Sequence, residues 1–428
     1  MTAARNHILV MTLAMLALSG CGTVVREVRK QTAGFVAPPP SDLARARTAW
    51  SYFAAVDRAE TVAGSGFTTP SAIGDELAAS IAAFRIGLIP RSEFDRHVTR
   101  TLRFLDQAPL SAGILPGRFY AVANGHLIDP PNEADPGWSS VEIGRLLAWL
   151  RILADSQPRH AAGVNAIIDK WQLCRAVDAD GRLLRALPNG KALAGSVDDG
   201  SGYAAYAALG FRSWRIDARL PPAPGPDFSV RVEGVDLPLG PGSQSEPLMT
   251  VPLALIAMEY GWKTPDGTVL ADARRLATLV VDVQQRRFMA TGLVTARSDF
   301  RRPTAPFLVR DTVLGGGFPW STLDDASAAH PELALFSTRA AFALRALQPS
   351  ADYADTTVAA ADAMQRDGGW IEGRYESGTG DETTQSAATN AFILEFILYR
   401  QAGTLHPFTV VPLRASKCAD PGTVGTHP

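Results

Sequence analysis

Six Ala-rich apolar helices, predicted to begin near residues 70, 139, 202, 247, 337 and 386, constrain the fold of this chain more than any other feature. Their starts are spaced by roughly 63 residues on average, which is long for a solenoid repeat. The units share an architecture, a polar or aromatic loop followed by an apolar helix, rather than a common sequence. The pattern therefore predicts one large helical domain built from similar units.

Residues 137–153 show the design of one unit. Gly137 and Trp138 form a loop, and Ser139 with Glu142 three residues later is typical of a capping box, in which each side chain binds a free backbone N–H of the first turn. Large apolar residues then follow around nearly the whole helix, at positions 143, 146, 147, 149, 150, 152 and 153. A helix that is apolar on all sides is buried on most sides.

More amphipathic helices alternate with these apolar ones, and the alternation predicts an all-α (α/α)6 toroid over residues 41–406. Six inner helices would contact neighbours on both sides, and the outer helices would face water. Strand-like or Gly-rich stretches predict two insertions, at about 215–245 and 291–325, the first of which stands where an outer helix belongs. A plain helical bundle or superhelix is the alternative.

The N-terminus predicts export and lipid anchoring. Arg5 and an apolar run from residue 8 to 18 lead to Leu18-Ser19-Gly20-Cys21, so residues 1–20 are predicted to be a signal peptide. The final four residues resemble the lipobox of bacterial lipoproteins, which makes Cys21 the lipidated residue, with residues 21–40 as anchor and tether. An aspartate directly after the cysteine resembles a signal for retention in the inner membrane. Residue 22 is glycine instead, so the outer membrane is favoured. A plain signal peptide or a short membrane helix is the alternative, and residues 407–428 are predicted to form an irregular tail.

Composition excludes several functional classes. The net charge of −2 and a pI near 6.4 leave no basic footprint for nucleic acid. Only 7 histidines occur, with neither a His-Glu-x-x-His motif nor paired Cys and His spacing, so we expect no metal site and no cofactor. In an oxidising compartment Cys174 and Cys418 are permitted to form a disulfide, and two separate thiols are the equal alternative.

The loops before the apolar helices are rich in aromatic residues, arginines and acids, which suits a sugar-binding cleft, since aromatic faces stack on sugar rings. A single loop tryptophan can instead pack as a plug. The stretch 368–376, Gly-Gly-Trp-Ile-Glu-Gly-Arg-Tyr-Glu, is the strongest of these segments. Candidate substrate-binding residues are Trp138, Tyr203, Trp262, Trp320, Trp370, Arg374 and Tyr375.

Hydrolysis of a glycosidic bond needs two carboxyl groups, one protonated acid and one ionised base or nucleophile. The candidates are Asp199, Glu372 and Glu376, followed by Glu142 and Asp75. Glu142 has a second interpretation as a capping-box partner, and Asp198-Asp199 as a solvated turn. Which carboxyl group is the acid stays open at this point.

Several motifs in fixed order resemble the bacterial family called domain of unknown function 3131, from about residue 49 to 403. They are Gly137-Trp138-Ser139 with Gly144-Arg145-Leu146-Leu147, Gly202-Tyr203 with Tyr206-Ala207-Ala208, and Gly369-Trp370 through Glu376 followed by Thr389-Asn390-Ala391. The resemblance implies an exported helical toroid tied to envelope or extracellular polysaccharide, and Asn390 joins the candidate binding residues. It brings no established reaction.

The chain departs from the family pattern at three acidic positions. Ser71-Ala72 replace a Trp-Asp pair, with Asp75 and Glu76 one turn later; Glu142 replaces an aspartate; and Ala204 replaces an acid. Two functions therefore compete: a glycoside hydrolase acting on a bacterial polysaccharide, and a non-catalytic lipoprotein that binds glycan or a partner of an exopolysaccharide assembly. A purely structural envelope role is a third.

Overall fold

The inner helices begin within three residues of their predicted starts. The computed structural model describes residues 38–55, 66–130, 132, 134–189, 192–198, 201–221, 228–239 and 246–406. Within them lie eleven α-helices: α1 (Pro40–Ala55), α2 (Pro70–Ile86), α3 (Arg91–Gln107), α4 (Ser140–Ser156), α5 (Pro158–Ile168), α6 (Ala204–Arg212), α7 (Thr250–Tyr260), α8 (Ala271–Thr291), α9 (Thr338–Leu347), α10 (Asp352–Ala361) and α11 (Ala387–Ala402). Three short 3-10 turns are Leu173–Ala176, Pro331–Leu333 and Asp362–Met364.

Six of these helices close into a ring. Helix α2 packs on α4, α4 on α6, α6 on α7, α7 on α9, α9 on α11, and α11 back on α2. Outside the ring, α1 packs on α11 and α2, α3 on α2, α5 on α4, α8 on α7, and α10 on α9. Residues 213–249, where described, contain a β-hairpin instead of a sixth outer helix. The predicted (α/α)6 toroid is confirmed.

The inner helices are buried because their sequences offer no polar face. All eleven residues of α7 are buried, and so are thirteen of the seventeen residues of α4. Four inner helices have an N-cap hydroxyl that accepts a hydrogen bond from the first turn, at Thr69, Ser139, Ser337 and Ser386. These caps satisfy backbone N–H groups that the crowded end of the ring shields from water.

Glycines let neighbouring inner helices approach closely. A Cβ atom on Gly144 of α4 would lie 2.5 Å from the Cα of Ala207 on α6, and one on Gly210 would lie 2.1 Å from the carbonyl oxygen of Gly144. Gly74 of α2 faces the backbone of Arg145 at 3.1 Å. The ring is therefore tightest between α2, α4 and α6.

The strands in the described part of the chain are short and form seven small sheets. They are β1 (Phe67–Thr68), β2 (Leu110–Ser111), β3 (Leu115–Pro116), β4 (Tyr120–Ala121), β5 (Trp138–Ser139), β6 (Leu184–Asn189), β7 (Ala192–Val197), β8 (Ser229–Val232), β9 (Val235–Pro238), β10 (Phe300–Arg301), β11 (Leu308–Asp311), β12 (Leu314–Gly315), β13 (Phe318–Pro319), β14 (Thr322–Leu323), β15 (Leu335–Ser337), β16 (Gln365–Arg366), β17 (Gly369–Tyr375) and β18 (Asp381–Gln385). Strands β8 and β9 lie in the first predicted insertion and β10–β14 in the second. Strands β1, β5, β15 and β18 end directly before inner helices.

Two sheets of three or more strands lie outside the predicted insertions: β5–β6–β7, and the four-stranded sheet of β15–β18. The second corrects the interpretation of residues 368–376 as a loop, because most of that stretch is strand β17. Its glycines allow close packing of the strand rather than ligand approach. A Cβ on Gly373 would lie 2.0 Å from the carbonyl oxygen of Phe336 on the paired strand β15.

The predicted signal peptide, most of the tether with Cys21, and the C-terminal tail with Cys418 lie outside the described residues. Cys174 is half-buried, and the alternatives of a disulfide with Cys418 or two separate thiols stay open because Cys418 lies outside the described residues. None of the described helices has the length and apolar character needed to cross a membrane.

Candidate functional site

A cavity of about 120 Å³ opens where the inner helices begin. Its walls come from the N-terminal halves of the inner helices and from the second insertion, so the ring and the insertion enclose it together. The side chains that carry chemistry there are Asp75 on α2, Glu142 and Arg145 on α4, Tyr203 and Tyr206 at the start of α6, Arg339 on α9, Phe392 on α11, and Asp299, Arg301 and Arg310 from the insertion. Three carboxylates and four arginines therefore share one small space.

Arg145 lines the floor of the cavity, where one buried guanidinium faces three carboxyl groups. Its Nε donates to Asp75 Oδ1 at 2.9 Å, and the guanidinium also binds Glu259 and Glu395. The Tyr206 hydroxyl lies 2.9 Å from Arg145 and donates to Glu259 at 2.8 Å. Burial raises the pKa of Glu395 well above its usual value and raises that of Glu259, although the Arg145 charge acts against both shifts.

Asp299 projects from the insertion into the cavity. Its carboxylate accepts a hydrogen bond from the Tyr203 hydroxyl at 2.6 Å and pairs with Arg339 Nη2 at 2.8 Å. Burial alone acts to raise the pKa of this carboxyl, but the Arg339 charge and the hydrogen bond from Tyr203 outweigh it and hold the pKa below its usual range. Asp299 is therefore an ionised carboxylate, and the sequence analysis missed it.

Glu142 lies at the edge of the cavity with its side chain 26% exposed. The Ser139 hydroxyl accepts from the Glu142 N–H at 3.3 Å, which is the first half of the predicted capping box. The second half is not formed, because the carboxylate accepts instead from the Ser71 N–H at 3.3 Å and lies 3.8 Å from Arg301. Glu142 thus directs its charge into the cavity.

Asp198 accepts hydrogen bonds at the N-terminus of α4, beside the N-cap residue Ser139. Its carboxylate accepts from the Ser139 hydroxyl at 2.6 Å and from the Val141 N–H at 3.0 Å. The expected solvated turn is therefore wrong for Asp198, which is buried. Asp199 lies outside the described residues, so its predicted catalytic role stays a prediction.

Glu372 and Glu376 do not line the cavity. Glu372 is 1% exposed and accepts from the Thr389 hydroxyl at 2.8 Å, and burial raises the pKa of its carboxyl. Glu376 forms a two-bonded pair with Arg287, at 2.8 and 2.9 Å, and a second pair with Arg297. The placement of both acids in the cleft is wrong, because Glu372 on β17 and Glu376 directly after it bind other side chains and neither lines the cavity.

The Glu376 cluster fastens the insertion to the toroid. Arg297, two residues before Asp299, bridges Glu376 and Asp311, with its Nη1 at 2.8 Å from Asp311. Trp320, which was expected to bind substrate, packs its ring on Arg287 at 4.5 Å and is not part of the cavity wall. This cluster therefore holds in place the segment that carries Asp299.

Three other predicted binding residues pack inside the protein instead. Trp370 is fully buried with its ring against Phe342, and Asn390 binds both the N–H and the carbonyl of Trp370, at 2.8 and 3.2 Å. Trp138 is buried in β5 and pairs with Ala186 of β6. These aromatic rings fill the core because the strands that carry them run behind the inner helices.

The remaining predicted binding residues lie elsewhere. Trp262 follows the C-terminus of α7, at the opposite end of that helix from the cavity. Arg374 is exposed and pairs with Asp381 at 2.7 Å, and the Tyr375 hydroxyl donates to Glu382 at 2.6 Å. The structure therefore brings together Asp75, Glu142 and Tyr203 among the predicted residues. No group of three or more His, Cys, Asp and Glu side chains within the described ranges is arranged to hold a metal ion.

Solved structures of low sequence identity share this fold. A glucoamylase-like protein from Bacteroides uniformis ATCC 8492 matches with a TM-score of 0.63 and 11% identity, over 86% of this chain and 94% of that one. One from Bacteroides caccae ATCC 43185 matches with 0.61 and 13%, over 86% and 95%. An endo-β-1,2-glucanase from Chitinophaga pinensis, in complex with sophorotriose and glucose, matches with 0.60 and 11%, over 85% and 92%. At such identities the likeness shows the fold.

A comparison with the sequences of curated proteins finds no match. The family model described as protein of unknown function (DUF3131) matches residues 44–403, which include every element from α2 to α11. This span contains the whole inner ring and the cavity described above. The chain therefore belongs to the DUF3131 family.

Proposed function

We propose that the cavity binds glycan and that Asp299 and Glu142 act there as the carboxyl pair of a glycoside hydrolase. One observation carries this proposal: two carboxyl groups in different environments reach the same enclosed space. The Asp299 side chain is 13% exposed and bound to Arg339 and Tyr203, whereas that of Glu142 is 26% exposed and lies 3.8 Å from its nearest arginine. Paired carboxyl groups with different environments are what glycosidic hydrolysis needs.

The environments suggest how the work is divided. Asp299, kept ionised, acts as the base that takes a proton from water while the water oxygen attacks the anomeric carbon. Glu142, with no short ion pair to fix its charge, donates a proton to the leaving oxygen as the glycosidic bond breaks. Tyr203 and Arg339 keep the Asp299 carboxylate oriented. Asp75, bound to Arg145 on the floor, has a supporting role.

The comparisons support a carbohydrate ligand in this fold. An endo-β-1,2-glucanase and two glucoamylase-like proteins share the toroid. The aromatic side chains of Tyr203, Tyr206 and Phe392 lie in the cavity and offer apolar faces to a sugar ring. Polysaccharide is accordingly the proposed substrate, as the sequence motifs also predict.

The test is product analysis of the purified protein on a panel of bacterial polysaccharides. We expect new reducing ends from the wild-type protein, and a loss of about 100-fold or more in turnover for Asp299→Asn and for Glu142→Gln, with glycan binding retained. Asp282→Asn, an exposed change on outer helix α8, is the matched control and should turn over normally. Undiminished turnover in both cavity variants contradicts the assignment.

A non-catalytic glycan-binding protein is the second candidate, and one observation favours it. Two cavity carboxylates, Asp75 and Asp299, are already bound by Arg145 and Arg339, and Ala204 stands where the family pattern has an acid. This candidate expects glycan binding by the wild-type protein without release of reducing ends. In that case Asp299→Asn weakens binding and changes no rate.

We also propose that the protein is anchored in the cell envelope through a lipid on Cys21, with the outer membrane favoured. The lipobox-like run Leu18-Ser19-Gly20-Cys21 supports this, as does the absence of aspartate at residue 22. Cys21→Ala should abolish labelling by a fatty-acid analogue and shift the protein from the membrane fraction to the soluble fraction. Unchanged labelling contradicts the proposal.

A further inference from the structure

On the side of the cavity where the second insertion lies, the arginines outnumber the carboxylates. Part of their positive charge is therefore not neutralised by the cavity itself. We propose that it selects an anionic glycan, one whose sugar units carry carboxylates, and that Arg301, Arg310 and Arg339 bind that charge. This inference rests on the proposed glycan site and adds the class of its substrate.

Arg339 has binding capacity that the protein leaves unused. The residue is only 7% exposed, and its Nη2 donates to the carbonyl and carboxylate oxygens of Asp299, at 2.9 and 2.8 Å. Its Nε is buried and has no hydrogen-bond partner among the residues that the structure describes. A buried guanidinium N–H without an acceptor is costly, and an acceptor from a ligand in the cavity would relieve that cost.

Arg310 on β11 is held loosely. Its Nη2 donates to the backbone carbonyl of Asp324, and its Nη1 lies 3.7 Å from the carboxylate of Asp325, whose side chain is 70% exposed. Its Nε is buried without a partner in the described part of the chain. No carboxylate within hydrogen-bond distance matches this charge there.

The positive charge of Arg301 on β10 is likewise not matched by a carboxylate within hydrogen-bond distance. Its nearest carboxylate is Glu142, at 3.8 Å, beyond hydrogen-bond distance. Strands β10 and β11 pair antiparallel, with Arg301 opposite Leu308. Because side chains alternate between the two faces of a strand, residues 299, 301, 308 and 310 share one face. That face lines the cavity. The two arginines and Asp299 therefore act on the same ligand.

The wall and the floor of the cavity differ in the ratio of arginines to carboxyl groups. On the floor, the Arg145 charge is matched by three carboxyl groups. On the wall, three arginines share two cavity carboxylates, Asp299 and Glu142, and the exposed Asp325 lies 3.7 Å from Arg310 outside the cavity lining. Guanidinium groups match carboxylates in geometry as well as charge, whereas a neutral glucan offers only hydroxyl groups. The surplus thus favours a uronate-containing chain.

The experiment measures binding of a polyuronate oligosaccharide and of the same oligosaccharide after chemical reduction of its carboxylates, by calorimetry on the full protein. We expect the uronate form to bind about 10- to 100-fold more tightly, and more weakly as salt rises. Arg310→Gln and Arg301→Gln should remove most of that difference, because they weaken binding of the uronate form far more than binding of the reduced form. Arg275→Gln, exposed on outer helix α8, is the matched control.

The outcomes separate this inference from the proposed function. Equal binding of both oligosaccharides, or a preference for sulfated over uronate chains, overturns the inference while glycan binding stands. Failure of every glycan to bind overturns the proposed function itself. Melting temperatures of the two arginine variants near the wild-type value show that a loss of binding is not a loss of folding.

Discussion

The closest approach in the ring, between α4 and α6, gives a sharp test of the architecture through Gly144→Ala. The added Cβ would lie 2.5 Å from both the Cα and the Cβ of Ala207 and 2.8 Å from its carbonyl oxygen. These are mostly backbone atoms of a helix, so relief requires α6 to move as a body. Since Arg145 follows Gly144 directly, such a shift also disturbs the cavity floor.

Two opposing effects set the size of the change. Alanine is favoured over glycine in a helix interior by about 1 kcal/mol. Overpacking of a dense core costs about 1 to 3 kcal/mol, and contact with backbone places this site at the upper end. We expect a net loss of about 2 kcal/mol in the free energy of unfolding.

Gly163→Ala on outer helix α5 is the matched control, because its Cβ would meet only Leu102 Cδ1, at 3.6 Å. There the helix propensity acts alone, and we expect a gain of about 0.5 to 1 kcal/mol. Urea unfolding followed by tryptophan fluorescence measures both changes. Should the two variants be stabilised alike, the packing of α4 against α6 described above is refuted.

Three further changes test the buried polar groups. Glu376→Gln leaves two arginines without their shared carboxylate, so it should lower the free energy of unfolding, measured by thermal unfolding, by about 3 kcal/mol. It should also make the insertion at 298–323 sensitive to protease. Unchanged protease resistance contradicts the role of Glu376 in fastening the insertion. Asn390→Ala removes both hydrogen bonds to the Trp370 backbone and should cost about 2 kcal/mol in urea unfolding. Because burial raises the pKa of Glu395, its protonated form is stabilising and this stability is lost as pH rises through the folded-state pKa. Glu395→Gln should therefore flatten the fall in stability as pH rises above the ordinary carboxyl pKa of about 4.3. An equally steep fall in that variant refutes the protonated state.

The helical ring could be predicted from the sequence because its signals are local. A capping Ser or Thr followed by an all-round apolar helix marks each start within a few residues, as at Ser139, Ser337 and Ser386. Asp75 and Glu142 were placed correctly for the same reason. The first turns of buried helices meet at one end of a ring, so acids at those positions share a space.

The remaining site residues depend on contacts distant in sequence. Residues 368–376 have the composition of a ligand loop, yet the pairing of β17 with β15 and β18 turns Trp370 and Glu372 inward and leaves Arg374 exposed. Asp299 lies in an insertion without periodicity, so nothing local distinguishes it from its neighbours. Its position is fixed by strand pairing and by partners 40 and 96 residues away, Arg339 and Tyr203.

The division of labour between ring and insertion follows from these contacts. The ring is closed by apolar packing that tolerates little change, and its helix starts supply Glu142 and the neutralised floor around Arg145. The insertion supplies Asp299, Arg301 and Arg310, and it is fastened by the ion pair of Arg297 with Glu376 and by the packing of Val313 and Leu314 on Leu253 of α7. A chain with the same ring and a different insertion therefore has a cavity wall of different charge. Under the proposed function, the insertion supplies two of the three arginines that select the glycan, Arg301 and Arg310, and the ring supplies the third, Arg339.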